Sequence, residues 1–160
     1  MKFYPTKNHP SCFIKGCFLL VKIYLLMLIL YRGCIFFRFQ YMTWNFNAHG
    51  GASVFRDACM ELKPVLLAST DSILLFREYD LPPKHPLRKL RPQFLSYGGY
   101  NATNAIYNIR ITGGFYKTGY IIFESKDNIP PRIFLGRDGS AIIKNIGDGV
   151  FIYQSVGSNI

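Results

Sequence analysis

The apolar positions fall into two patterns that divide the chain. From Cys17 to Tyr31 the sequence reads CFLLVKIYLLMLILY, apolar all round a helix except at Lys22, and Arg32-Gly33-Cys34-Ile35-Phe36-Phe37 extends it. About 20 residues of helix cross the hydrocarbon of a bilayer, so residues 17–37 are predicted to be a transmembrane helix. Lys22 and Arg32 would lie near its two ends, where long side chains can carry their charges to the headgroups.

Beyond residue 41 the apolar runs shorten and turn residues punctuate them. Ser53 to Leu62 (SVFRDACMEL) places Val54, Ala58 and Leu62 on one helical face, with Ser53 as a cap and Pro64 as a stop, which predicts one short helix. Val65 to Ala68 and Ile73 to Phe76 flank a polar turn and read as a hairpin. Residues 81–92 (LPPKHPLRKLRP) contain four prolines, which exclude a helix or central strand running through them and predict a basic loop. Strands are then predicted at Ala105–Thr112, Phe115–Glu124, Arg132–Leu135, Ala141–Ile146 and Val150–Gln154. The separators between them include Gly113-Gly114, Asp138-Gly139 and Gly147-Asp148-Gly149, which supply the positive φ of tight turns. The runs Ile121-Ile122-Phe123 and Ile133-Phe134-Leu135 lack alternation, as in strands covered on both faces.

The fold class expected is therefore mainly β: one N-terminal apolar helix, then a small antiparallel β-meander or sandwich-like domain with at most one short helix. Residues 1–41 form the leader and anchor segment and residues 42–160 the domain. A cleaved signal peptide fits less well, because bulky Tyr31, Arg32, Phe36 and Phe37 stand where small residues should mark a cleavage site. Met42 offers a second start, from which a soluble structural or fibre-type β module would begin.

Charge sharpens this division. The chain has a net charge of +10. Residues 1–41 hold six bases and no acid, and Lys2, Lys7, Lys15 and Lys22 outnumber Arg32 and Arg38, which by the positive-inside tendency places the N-terminus in the cytoplasm and the domain outside it. Residues 42–160 hold 13 bases and 9 acids, and the whole excess sits in Lys84, Arg88, Lys89 and Arg91. These four are the candidate contacts for an anion, either nucleic acid or anionic lipid. Nucleic-acid recognition would be expected to need more than one such patch.

Other chemistry is sparse. Cys12-x4-Cys17 has no second ligand pair for zinc. His49-Gly50-Gly51 resembles an esterase oxyanion loop, yet the chain has no G-x-S-x-G nucleophile elbow. Cys59 with His49 is the remaining thiolate candidate, and Asp127, Asp138 and Asp148 fall in successive turns that could converge on calcium, but their spacing matches no calcium loop and turn chemistry explains them without an ion. Asn101-Ala102-Thr103 is a glycosylation sequon, meaningful in a secretory lumen. No catalytic, metal or cofactor residues are assigned. The expected function is a membrane-anchored or exported domain that works by binding or assembly, through a protein partner or through the basic loop.

Overall fold

Pro10 opens the first helix, in the first turn where a missing N–H is harmless, and no proline follows it before residue 64. The computed structural model accordingly has α1 over Pro10–Ala48, 39 residues in a single run. It describes residues 10–76, 81–101, 104–112, 116–127, 129–130, 133 and 142–156. The chain forms two compact units, Met1–Arg38 and Phe39–Ile160.

In the first unit α1 has no polar face. Phe18, Leu20, Tyr24, Met27 and Ile29 are each more than 60% exposed, and the helix is long and apolar enough to cross a membrane. A helix hydrophobic all round needs an apolar surrounding, which a bilayer provides.

In the second unit the same helix becomes one-sided. Phe39, Met42 and Phe46 are buried at helical spacing while Tyr41 and Trp44 are exposed. His49 and Gly50 then turn the chain. Gly50 adopts φ 113°, and a Cβ there would stand 2.6 Å from the Val54 side chain, so only glycine fits. Helix α2 follows over Gly51–Ala68, burying Phe55, Cys59, Leu62 and Leu66.

Among the described residues six strands complete the unit: β1 (Ile73–Leu75), β2 (Phe94–Asn101), β3 (Asn104–Thr112), β4 (Tyr116–Phe123), β5 (Ile142–Gly147) and β6 (Val150–Val156). They form one antiparallel sheet of order β1-β2-β3-β4-β6-β5. One face meets the helices: Phe46 lies between Phe55 and Tyr120, with ring centroids 4.7 and 4.9 Å away. The other face holds the cluster Ile121, Phe123, Ile133, Phe151 and Tyr153, with Ile129 packed against it. Both faces of β4 are thus buried, as its unbroken apolar run predicts. Where β4 passes β3 and β6, a Cβ on Gly119 would come 2.1 Å from the Ile109 carbonyl oxygen and 2.9 Å from the Tyr153 ring.

The architecture is mixed α/β, which corrects the expectation of a mainly β chain with at most one short helix. Two misreadings account for it. The first helix continues to Ala48 instead of ending near residue 37. The second runs past Pro64, and Val65–Ala68 is helix rather than strand. An interior proline costs a helix about 3 kcal/mol. Here Pro64 stands on the exposed side while Leu62 and Leu66 are buried, and their packing holds the helix together around it. The meander is also interrupted, because β6 rather than β5 pairs with β4. The predicted strand Arg132–Leu135 lies outside the described residues except for Ile133, which is in no strand.

The helix layer is joined to the sheet by a buried arginine. Arg56 of α2 is 5% exposed; its Nε donates to the Phe123 carbonyl at 2.8 Å and its Nη2 donates to the Asp148 carbonyl. Arg56→Met keeps the bulk and removes both donors, so we expect a loss of about 2–4 kcal/mol in chemical unfolding of the full chain in detergent. Gly119→Ala is expected to destabilise at least as much, because the Ile109 backbone cannot yield as a flexible side chain would.

Candidate functional site

The basic loop is a built structure. Its prolines stop regular structure, but Pro86 can open a 3-10 helix, and one forms over Pro86–Leu90. His85 caps it by accepting the Leu87 N–H on Nδ1 at 3.3 Å. Leu87 and Leu90, 0% and 3% exposed, pin it to the domain. Arg91 closes it in a left-handed conformation, φ 51°, its N–H bonded to the Arg88 carbonyl. Arg88 also ties the loop to its own entry, its Nη1 donating to the Leu81 carbonyl at 2.7 Å.

This turn presents Arg88, Lys89 and Arg91 to a groove of about 520 Å³. The opposite wall is the last part of α1, through Tyr41, Met42, Asn45 and His49, while Leu90, Ile111 and Tyr120 supply the remainder. None of the ten lining residues is acidic. Tyr120 donates its hydroxyl to the Met42 carbonyl at 2.9 Å, and burial pushes its pKa up, so it is a neutral donor and not a base. His49 Nδ1 stands 2.8 Å from the Asn45 carbonyl oxygen. A carbonyl only accepts, so Nδ1 bears hydrogen and Nε2 is the ring's second polar atom. The groove thus combines three cations borne on a pinned turn, an imidazole and apolar walls, an arrangement suited to holding an anion.

Three of the four bases singled out in the sequence meet in this groove. Lys84 is exposed and does not line it. Tyr41, His49 and Tyr120 were not singled out as its partners, because nothing local links residues 41–49 and 120 to residues 88–91. The cysteine candidate does not come together as a thiolate site: Cys59 is 0% exposed, and burial raises its thiol pKa far above the usual range despite the nearby Arg56 charge. Asp148 sits in the β5–β6 turn with φ 50°, and the Asp127 N–H donates to Ser125 Oγ, both ordinary turn roles. Asp138 and residues 102–103 of the sequon lie outside the described residues. Among the described residues no three His, Cys, Asp or Glu side chains cluster as a metal site would require.

A second polar cluster went unread in the sequence. Lys63 of α2 pairs with Glu124, which also accepts the Tyr97 hydroxyl at 2.8 Å. Burial alone would raise the Glu124 pKa, but the hydrogen bonds from Lys63 and Tyr97 outweigh it and hold the carboxyl below its ordinary value. Its 61-residue separation from Lys63 leaves no trace in local pattern.

His85 makes the loop sensitive to acid. Burial lowers its pKa below 6.5, against the opposing pull of Glu61, 3.7 Å away, and of the Ala58 carbonyl. The unfolded chain therefore binds the proton more readily than the fold does. Stability should be full above pH 6.5 and fall as the pH drops toward the lowered folded value. Thermal melts of the full chain across this range should show the decline, and His85→Asn, which can keep the cap without titrating there, should flatten it.

Comparison with protein-family models, with curated proteins and with solved structures gives no match.

Proposed function

We propose that this chain is a membrane-anchored mixed α/β domain that acts by binding. Residues 17–37 of α1 cross the bilayer, with the N-terminus in the cytoplasm and the sheet domain outside it. The observation that supports this most is α1 itself: from Gly16 to Ala48 it is long and apolar enough to cross a membrane, and only 6% of its apolar 18-residue window is buried. Tyr41 and Trp44, 63% and 64% exposed, follow the apolar run as interfacial aromatics do. The six bases and no acid of residues 1–41, four of them at or before Lys22, favour the orientation.

A soluble chain beginning at Met42 fits poorly with the packing. Met42 is inside α1 and buried, and such a start would delete Phe39, itself 7% exposed. It would also leave a short helical stub to form the wall that packs on Tyr120.

The full chain, expressed in cells and fractionated, should stay with the membrane pellet through an alkaline carbonate wash. Leu26→Arg together with Met27→Arg puts two charges at the middle of the span, at about 2.5–3.5 kcal/mol each on insertion scales, and should release or degrade the protein. A native chain extracted by carbonate would rule the anchor out. Protease added to intact cells or spheroplasts should remove the sheet domain if the orientation is right and spare it if reversed.

A further inference from the structure

We propose that the basic groove is a binding site for a phosphate-class anion, held by Arg88, Lys89 and Arg91 with His49 beside them. This does not rest on the anchor, since every lining residue lies in the second unit.

Three observations lead there. First, outside Lys84–Arg91 the bases and acids of residues 42–160 balance at nine each, so the domain's net positive charge is concentrated in this stretch. Three of its four bases face one cavity walled by Met42, Leu90 and Ile111. A concave site of one sign with apolar walls focuses its field on a ligand of the other sign. Second, the cations are preorganised: buried leucines, the His85 cap and the Arg88–Leu81 bond fix the turn that bears them. A fixed turn loses less entropy on binding than a loose loop would. Third, the chemistry fits a particular anion. A phosphate monoester near neutral pH bears about 1.5 to 2 negative charges and three acceptor oxygens, which call for several cationic donors at once. A lone carboxylate is satisfied by one arginine.

Size separates this from a nucleic-acid surface. At about 520 Å³ the groove falls within the range of small-ligand sites, roughly 300–1,000 Å³. An extended strand would need a charged track, whereas the three cations here stand within one short turn, Arg88 to Arg91. A phosphate of this kind is presented both by soluble phosphorylated molecules and by lipid headgroups.

The test is isothermal titration of inorganic phosphate into the full chain in nanodiscs of phosphatidylcholine. We expect saturable binding. Lys89→Ser with Arg91→Ser, which leaves the Arg88–Leu81 bond in place, should weaken it by about tenfold or more, on the scale of losing charge-assisted hydrogen bonds. Circular dichroism would verify that this variant is folded. Lys84→Ser removes a base outside the groove and should leave affinity within about twofold, as for a distant exposed charge. Repeating the titration in nanodiscs containing phosphatidic acid distinguishes the sources. Loss of the phosphate heat there assigns the site to a headgroup, and its retention assigns it to a soluble phosphate. The proposal is overturned if native protein shows no saturable binding, if the double variant binds as native does, or if Lys84→Ser weakens binding equally. It is also overturned if a single-stranded oligonucleotide displaces phosphate with a salt dependence of many contacts, which would indicate an extended nucleic-acid surface instead.

Discussion

Arg56 is the residue on which the second unit depends. A guanidinium withdrawn from water is costly unless its donors are used, and this one serves carbonyls 67 and 92 residues further along the chain. Those carbonyls belong to the end of β4 and to the β5–β6 turn, which the Phe123 N–H also bridges by donating to Gly149 at 2.9 Å. The non-sequential neighbours β4 and β6 are thereby locked where helix meets sheet. Two turns further along α2, Lys63 reaches the adjacent Glu124, so Arg56 and Lys63 meet the same strand terminus.

The last turns of α1 give the domain its second tie. Phe46 between Phe55 and Tyr120, the Tyr120 hydroxyl on the Met42 carbonyl, and Lys144 donating to Thr43 Oγ1 at 3.4 Å hold this helical stretch against the sheet. That packing sets Tyr41, Asn45 and His49 opposite the 3-10 turn and so creates the groove. One helix therefore has two characters in succession, apolar on every side and then apolar on one.

What could be read in the sequence follows from the range of the forces involved. The apolar helix and strands β3 to β6 were legible because period, turn residues and unbroken apolar runs are local signals. β2 was not: Gly98, Gly99 and the polar residues of Phe94–Asn101 disguise a strand whose place is set by pairing with β3. α2 was cut short because Pro64 is a strong local stop, overridden by the burial of Leu66. The four bases of the loop were visible as a cluster, but their grouping into a groove depends on a helix some forty residues away. The role of Arg56 has no local signal, since its partners are carbonyls that only the tertiary fold brings near.

The account turns on α1 lying in a bilayer, and solvent access along that helix tests it most directly. Leu26→Cys and Trp44→Cys chains in intact membranes would be exposed to a membrane-impermeant maleimide, with labelling mapped by peptide mass. The account predicts that Cys at position 44 reacts while Cys at position 26 is silent until the bilayer is dissolved and the chain denatured. Equal labelling of the two in intact membranes would contradict it.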